Sequence, residues 1–539
     1  MDVVFFPLAS ATGASIDQLK LITCLLVSYP LGSVFIRIPH HRPDLKHLFN
    51  ISISLIYLIP VLNLWSGSLQ LIASALGTYY LSAVIKSSKM PWIVFAFVMG
   101  HLTINHIVRA IYNFSYETFE ITGPQMVLTM KLTTFAWNVW DGRRPVEDLD
   151  KWQKEKCIVQ HPSILEFLGY VFFFPGMLVG PYLEFADYMN LIDGTVFKST
   201  LTAEEQNNAY IPARRLIPKG RKRVAYRKMV IGLGFLGVFV LFGDNYTFGA
   251  AVKDDFARMN IFNRFAFYQF FGFVERTKYY AIWTLTEGAS ILTGFGFTGL
   301  GPSGETRWDG AANITISGIE FAPNIKVLLD SWNMKTNVWL RECVYKRVTP
   351  KGKKPGFRSS LITFTTSAFW HGVAGGYYIA FLCGAFTQTV GRLCRNYLRP
   401  LFLPADYVSS RTAPPPSQTF MKRIYDVIGM FCAVTMMNYM AGAFMLLTLE
   451  KSLIAWSRVW WYGHFMVFGG LVFFYAGGIR MLRSIQKQRV KQAGIAAAAV
   501  PAKAVSGVET PTSLTDMAAP LDSLAQEFEA RADFGAKLN

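Results

Sequence analysis

Long apolar segments recur along most of the chain, separated by short polar or basic connections. A helix needs ~20 mostly apolar residues to cross a bilayer. Eleven segments approach this length, although glycine or proline interrupts several: Leu19–Ile38, Ile51–Leu64, Leu69–Ile85, Pro91–Tyr112, Ile164–Leu183, Val230–Ala250, Phe262–Phe273, Tyr279–Phe297, Leu361–Val390, Ile424–Leu447 and Trp460–Met481. The pattern predicts an all-α polytopic integral membrane protein with roughly 9–11 transmembrane helices.

The composition supports the membrane class. Of 539 residues, 52% are hydrophobic and only 16% are charged, against ~25% charged in an average soluble protein. An ordinary soluble enzyme, a coiled coil, a collagen-like chain and a wholly disordered chain are therefore excluded.

The charge is strongly positive, with 53 Lys+Arg against 35 Asp+Glu and a net charge of +18. The basic residues concentrate in Ile211–Met229, Arg341–Arg358 and Arg480–Lys491, between or after apolar segments. This distribution is typical of cytosolic loops, so we expect no nucleic-acid partner. The loops either set the topology alone or also attract an anionic ligand.

The C-terminal end has a different character, rich in Ala, Ser, Thr and Pro. This composition predicts a disordered cytosolic tail. We therefore divide the chain into a membrane-embedded domain, residues 1–485, and a tail, residues 486–539.

One histidine lies in the middle of a long apolar segment. His371 is followed by Gly372, Gly375 and Gly376, which allow a ligand or another helix to approach the backbone closely. Ionisable groups inside apolar spans are costly, so each is a candidate site. A neutral imidazole is suited to take a proton from a hydroxyl; the alternative is a histidine that is hydrogen-bonded within a helix bundle.

A second polar cluster, Asp330–Leu340, precedes this histidine. Trp332 and Trp339 are seven residues apart, and Asn333 and Asn337 are four apart, so each pair is predicted to share a face of one amphipathic helix. Asn333 could donate a hydrogen bond to a substrate or orient a base. The alternative is a plain interfacial helix anchored by tryptophans.

A third cluster places Arg276, Tyr280, Trp283 and Glu287 on one helical stripe. Eleven residues of helix span ~16 Å, so the arginine and the glutamate cannot pair directly. Each needs another partner, a water-lined cavity or a ligand. The stripe either lines a pocket, or Arg276 and Lys278 snorkel to the membrane surface while Glu287 forms a buried inter-helix hydrogen bond.

The remaining chemistry-bearing residues form no recognisable metal or nucleophile motif. The six cysteines are scattered without a C-x-x-C pattern, and His101 and His106 are five residues apart, which does not place them on one helix face as a metal pair. We therefore expect no metal, and no activated cysteine nucleophile.

Together these clusters resemble the membrane-bound O-acyltransferase family, and within it the broad-specificity fungal type of lysophospholipid acyltransferase. The resemblance rests on five stretches in the expected order: Trp140-Asp141, Gly180–Tyr188, Arg276–Trp283, Trp332-Asn333 and Trp370-His371-Gly372. Gly375 departs from the family's pattern, which has a proline there. Leu329–Asn333 lacks the Phe-Tyr and the second Trp of the sterol and diacylglycerol branch, which favours the phospholipid branch.

The resemblance implies a helical bundle with a catalytic tunnel in the endoplasmic reticulum membrane. It implies acyl transfer from acyl-CoA, as co-substrate and without a cofactor, to the free hydroxyl of a lysophospholipid. Membrane lipids would surround the bundle. The resemblance is compatible with a homodimer as well as with a monomer. His371 becomes the catalytic histidine and Asn333 its polar partner. The substrate-binding candidates are Arg276, Tyr280, Trp283, Glu287, Trp332, Lys335, Trp370, Trp140 and Asp141. The alternatives are a sterol, diacylglycerol or protein acceptor, or a secondary transporter.

Overall fold

Helices form nearly all of the regular structure. The computed structural model describes residues 2–112, 114, 118–201, 216–349, 357–407 and 415–494. Within these ranges the only strands are β1 (Gly299–Leu300) and β2 (Thr306–Arg307), a short antiparallel hairpin that pairs Gly299 with Arg307. The predicted all-α class is confirmed.

The helices of the described residues are numbered in chain order. They are α1 (Asp2–Thr12), α2 (Ile16–Phe35), α3 (Pro43–Ile56), α4 (Trp65–Val84), α5 (Met90–Ile111), α6 (Thr122–Asp141), α7 (Lys151–Lys156), α8 (Ile164–Val171), α9 (Phe185–Ile192), α10 (Arg221–Phe242), α11 (Asp254–Arg258), α12 (Ile261–Leu292), α13 (Ile316–Glu320), α14 (Ile325–Ser331), α15 (Met334–Leu340), α16 (Lys346–Val348), α17 (Phe357–His371), α18 (Gly375–Leu393), α19 (Phe420–Leu446), α20 (Leu449–Arg458), α21 (Tyr462–Phe473) and α22 (Ile479–Gln492).

Six helical segments of the described chain are long and apolar enough to cross a membrane. They are Ile16–Phe35, Pro43–Val61, Met90–Ile111, Arg221–Phe242, Phe420–Leu446 and Tyr462–Gln492. This number is below the 9–11 spans predicted from the sequence. The difference arises because other apolar segments lie in helices that are short, such as α8 and α17, or carry several charges, such as α12.

Helix α12 corrects one prediction. The sequence indicated two spans, Phe262–Phe273 and Tyr279–Phe297, separated by a polar stretch. The structure has one 32-residue helix, Ile261–Leu292. The polar side chains between the two apolar halves find partners on other elements, so they do not interrupt the helix.

Two other predicted helices are broken. The Asp330–Leu340 cluster is not one amphipathic helix, because α14 ends at Ser331 and α15 begins at Met334. The long segment Leu361–Val390 breaks after His371, and α18 starts at Gly375. Both breaks lie beside a predicted catalytic residue.

A buried apolar cluster surrounds these breaks. Its members come from α5, α6, the loop before α9, α15 with the turn that follows it, and α17: Met99, Leu102, Met130, Trp137, Tyr182, Trp339, Leu340, Cys343, Val344 and Trp370. Helix α6 runs through this cluster and is buried along most of its length. It is therefore the element on which the candidate site is built.

The C-terminal boundary and the basic loops are only partly within the described chain. The predicted boundary after residue 485 falls inside α22, which continues to Gln492. Residues 495–539, the larger part of the predicted tail, lie outside the described residues, as do 211–215 and 350–356 of the basic stretches. The basic residues from Arg221 to Lys228 belong to the first turns of α10 rather than to a loop.

Candidate active site

His371 is the last residue of α17, at a sharp turn of the chain. The next residue, Gly372, has φ +136°, and its amide donates to the carbonyls of Ala368 and Phe369, 3.2 Å from each. Because this φ disfavours residues with a side chain, glycine is required there. The turn presents the imidazole at the end of a helix.

Aromatic rings enclose the imidazole of His371. Ring centroids lie 4.6 Å away for Trp370, 4.8 Å for Phe444 and 5.4 Å for Phe381. Among the described residues, neither ring nitrogen of His371 has a hydrogen-bond partner. An apolar enclosure favours the neutral imidazole, which is the form that accepts a proton.

Trp370 ties the histidine to α6. Its indole nitrogen donates to the carbonyl of Met126, 3.1 Å away, and its ring lies 5.7 Å from that of Trp339 on α15. Trp370 is 4% exposed. Its side chain is therefore used in holding α17 against its neighbours.

Asn333 sits in the break between α14 and α15, in a left-handed conformation with φ +45°. Its Oδ1 accepts hydrogen bonds from Thr336 Oγ1 at 2.8 Å and Asn313 Nδ2 at 3.2 Å. Because these two donors occupy the carbonyl oxygen, the side chain can offer its NH₂ group to a ligand. The predicted sharing of a helix face by Asn333 and Asn337 is wrong, since Asn333 precedes the helix.

Asn313 organises this break from outside the predicted cluster. Its backbone carbonyl accepts from the amide of Met334 at 2.9 Å, and its Oδ1 accepts from the amide of Lys335 at 3.0 Å. These amides belong to the first turn of α15, which has no partner for them within the helix. Asn313 therefore both starts α15 and orients the Asn333 amide.

The helix that follows Asn333 and the helix that ends at His371 meet at α6. Thr336 of α15 contacts Met130 Sδ at 3.4 Å, and Trp370 bonds to Met126, one turn earlier on α6. The rings of Trp339 and Trp370 pack against each other where α15 and α17 meet. A buried aromatic surface with a histidine and an amide donor is an arrangement suited to proton transfer from a hydroxyl.

Comparison with known proteins identifies the family. The model of MBOAT, the membrane-bound O-acyltransferase family, matches residues 107–442, which include both His371 and Asn333. The chain belongs to the membrane-bound O-acyltransferase family.

Named relatives of the chain are phospholipid-modifying members of this family. A protein named lysophospholipid acyltransferase from Schizosaccharomyces pombe is 42% identical over 474 residues, covering 88% of this chain and 89% of the relative. One of the same name from Saccharomyces cerevisiae is 41% identical over 475 residues, covering 87% and 75%. Human membrane-bound glycerophospholipid O-acyltransferase 2 is 29% identical over 476 residues, covering 86% of each.

The charged members of the Arg276 stripe form ion pairs with other residues of the protein. Arg276 is 4% exposed and forms a two-point ion pair with Glu320, with both nitrogen–oxygen distances at 2.9 Å. Tyr280 donates to the same carboxylate at 2.5 Å, and Arg276 also contacts Asn438. The prediction that Arg276 and Glu287 need separate partners is confirmed, because Glu287 pairs with Lys228 at 2.8 Å. The snorkelling alternative for Arg276 is wrong, since its guanidinium is buried.

The aromatic members of the stripe pack against the Asn333 break. Trp332 contacts Trp283 at 5.3 Å, Tyr279 at 5.5 Å and Tyr280 at 6.4 Å between ring centroids. Trp332 and Trp339 therefore belong to different contacts, one with α12 and one with α17, and the prediction that they share a face is wrong. The segment from the break into α15 therefore packs against three helices, α6, α12 and α17.

Asp141 and Trp140 lie at the far end of α6. Asp141 is fully buried, with Arg347 donating to its two oxygens at 2.8 and 2.5 Å and Arg144 at 3.1 Å. The Arg347 guanidinium also stacks over Trp137, 4.3 Å from its centroid. The ion pair with Arg347 therefore anchors the end of α6. The predicted contacts of Asp141 and of half-buried Trp140 with substrate stay predictions.

Lys335 lies near three carboxylates. Its ammonium is within electrostatic range of Glu184, Asp187 and Glu287. Burial, followed by the neighbouring Asp187 carboxylate, raises the pKa of Glu184 above its usual range. Lys335 thus sits in an acidic environment next to Asn333, and its role in substrate binding stays a prediction.

Sequence reasoning missed two residues that hold the candidate catalytic pair. Asn313 appears in the sequence as part of an N-x-T pattern, but it is 5% exposed and engaged by the break. His106 was considered only as half of a metal pair, whereas its Nε2 lies 3.2 Å from the Trp370 carbonyl. For His106 the usable signal was a polar residue inside an apolar span.

Proposed function

We propose that this chain is an acyl-CoA-dependent lysophospholipid acyltransferase, which transfers a fatty acyl group to the free hydroxyl of a lysophospholipid. Family membership and the names of the fungal relatives support the reaction class. The observation that carries the mechanism is His371, enclosed by aromatic rings with both nitrogens unpartnered among the described residues.

His371 acts as the general base. Its neutral imidazole accepts the proton of the lysophospholipid hydroxyl while that oxygen attacks the thioester carbonyl carbon. As the carbon–sulfur bond breaks, the imidazolium returns the proton to the departing sulfur, so CoA leaves as a thiol. The imidazole is regenerated and no net proton is gained or lost.

Asn333 acts through its amide NH₂. Since its carbonyl oxygen accepts from Asn313 and Thr336, the NH₂ group is oriented to donate to the reacting hydroxyl or thioester oxygen. A donor aimed at an oxygen that gains charge in the transition state stabilises that state.

The transfer is direct, without an acyl-enzyme. All six cysteines are free thiols, and no hydrogen bond joins any of them to a histidine in the described ranges. Burial raises the pKa of Cys343 to about 12, which makes its thiolate inaccessible at neutral pH. The expectation that the reaction needs no metal or cofactor stays a prediction.

The location and the partners follow from the reaction. The chain is a multi-pass membrane protein, and we place it in the endoplasmic reticulum with its basic stretches facing the cytosol. Acyl-CoA is soluble and anionic, so it approaches from that side, while the acyl chain and the lysolipid lie within the bilayer. A homodimer is compatible with this arrangement and is not required by it.

An acceptor panel tests the proposal. Purified protein in nanodiscs receives radiolabelled acyl-CoA with lysophospholipids of several head groups, a sterol, diacylglycerol or a peptide. We expect labelled diacyl phospholipid, and no labelled product with the other acceptors. A labelled sterol ester, triacylglycerol or peptide would change the acceptor, and the absence of acyl transfer together with solute uptake into liposomes would favour a transporter.

A further inference from the structure

A second histidine lies against the end of the helix that carries His371. His106 is on α5 and is 7% exposed. Its Nε2 lies 3.2 Å from the backbone carbonyl oxygen of Trp370, the residue before His371. Because a carbonyl can only accept, Nε2 carries the hydrogen and donates it.

The same imidazole also contacts the residue after His371. A Cβ at Gly372 would lie 3.3 Å from His106 Nδ1, so the ring packs directly on the backbone of the turn. His106 therefore contacts the chain on both sides of His371.

The hydrogen bond from His106 satisfies a backbone carbonyl at the C-terminal end of α17. The last four carbonyls of a helix lack partners within it. In α17, the carbonyls of Ala368 and Phe369 accept from the Gly372 amide. The next carbonyl, that of Trp370, accepts from His106 instead. Without this donor, a buried carbonyl beside the candidate base would lose its partner.

The orientation of His371 depends on this backbone. In many enzymes a carboxylate or carbonyl holds the second nitrogen of the catalytic histidine. Within the described chain, the neighbours of the His371 ring are aromatic, and none donates to it or accepts from it. The direction of the imidazole is therefore set by the aromatic packing and by the position of its own Cα.

We propose that His106 is a positioning residue for acyl transfer, which fixes the end of α17 through the Trp370 carbonyl and thereby the placement of His371. This inference rests on the proposed role of His371 as the general base. A displacement of a catalytic group by about 1 Å can lower the rate on the order of 10²-fold.

Two polar substitutions separate positioning from simple burial. His106→Gln places an amide nitrogen near the position of Nε2 and keeps the donor, whereas His106→Asn is too short to reach the Trp370 carbonyl. We expect His106→Asn to lower kcat by ~10- to 10²-fold with both KM values within about twofold. His106→Gln should recover most of kcat.

His101→Asn is the matched control. His101 lies on the same helix and bonds to Ser74 at 2.6 Å and Gln70 at 3.2 Å, away from the α17 terminus. Its substitution also removes side-chain hydrogen bonds that hold α5, so it should lower the thermal midpoint without lowering kcat. Equal kcat losses in His101→Asn and His106→Asn would reduce His106 to a general stabilising residue and overturn the proposal.

A double-mutant cycle decides whether His106 acts through His371. In the residual activity of His371→Ala, adding His106→Asn should cause no further loss, because the base that it positions is gone. A full additional loss, a raised KM at unchanged kcat, or wild-type kcat in His106→Asn would each overturn the proposal. Full activity in His371→Ala would contradict the proposed role of His371 as the base. If His371→Ala is inactive and His106→Asn is fully active, only the role of His106 is contradicted.

Discussion

The indole rings of Trp339 and Trp370 lie 5.7 Å apart, and each indole nitrogen donates to α6. Trp339 bonds to Thr133 Oγ1 at 2.8 Å, and Trp370 bonds to the Met126 carbonyl at 3.1 Å. One tryptophan belongs to the helix that follows Asn333, and the other precedes His371. The pair therefore couples the positions of the two candidate catalytic residues through a shared support.

The tryptophan contact predicts a combined effect on stability and rate. Trp339→Ala should destabilise the protein by ~3–5 kcal/mol, the usual range for removal of a buried tryptophan, and should lower kcat because α15 and α17 lose their contact. Trp339→Phe should be milder, since it loses the hydrogen bond and part of the packed surface but keeps an aromatic ring beside Trp370. Thermal unfolding and kcat of purified protein provide the test, with exposed Trp65→Ala as control. Wild-type behaviour of Trp339→Ala would contradict the coupling.

The Asn313–Asn333 hydrogen bond predicts a specific loss. Asn313→Asp keeps the acceptor for the Lys335 amide but removes the donor to Asn333 Oδ1. A carboxylate would repel that oxygen and disfavour the productive amide orientation, so we expect kcat to fall about tenfold, equivalent to ~1.4 kcal/mol.

Asn324→Asp is the control for this substitution. Asn324 caps α14 by accepting from the Val327 amide at 3.1 Å, and aspartate caps equally well. Its kcat should stay at the wild-type value. An unchanged kcat in Asn313→Asp would mean that the Asn333 amide is oriented by Thr336 alone or is not used.

Direct transfer predicts that cysteine is dispensable. A variant with all six cysteines replaced by alanine should keep much of the activity, with some loss of stability because Cys24 and Cys343 are buried. Incubation with labelled acyl-CoA and no acceptor should leave the protein unlabelled. A thioester-bound acyl group on any cysteine would establish a covalent intermediate instead.

The helical class could be predicted from the sequence because long apolar segments are what a helix needs to cross a bilayer. The single helix α12 could not. Its polar residues at 275–278 indicated a break, but Arg276 is matched by Glu320, 44 residues later, and by Asn438, 162 residues later. Periodicity along one segment contains no information about partners that the fold brings from elsewhere.

The candidate site shows the same limit. His371 could be predicted from its isolation in an apolar segment, and Asn333 from its polar cluster. The helix break at Asn333 was missed, because its left-handed conformation depends on the hydrogen bonds that Asn313 provides. The contact of His106 with Trp370 joins residues 264 positions apart, which no local pattern indicates.

The basic stretch Arg341–Arg358 predicts an effect on acyl-CoA binding. Its early residues are already matched: Lys346 pairs with Asp150 at 2.8 Å, and Arg347 pairs with Asp141 at 2.5 Å. Lys351, Lys353 and Lys354 lie outside the described residues. Changing these three to Ala should raise the KM for acyl-CoA more than that for the lysolipid, because positive charge concentrates an anionic substrate.

Salt and a matched variant check this electrostatic effect. Added salt should reduce the difference, since the Debye length is ~8 Å at physiological ionic strength. Removing three exposed charges elsewhere, with Arg480, Lys487 and Lys491 of α22 changed to Ala, should leave the acyl-CoA KM unchanged. If the two triple variants have the same KM for acyl-CoA, the basic stretch Arg341–Arg358 has a topological role only.

The central claim is that His371 is the general base. Single-turnover acyl transfer by purified protein in nanodiscs, with saturating acyl-CoA and lysophospholipid, measures the chemical step in wild type, His371→Ala and His371→Gln. Loss of a general base should lower this rate by roughly 10²–10⁴-fold in both variants, with thermal midpoints near the wild-type value for His371→Gln. A near-wild-type rate in folded His371→Gln, which has no basic nitrogen, would contradict the account.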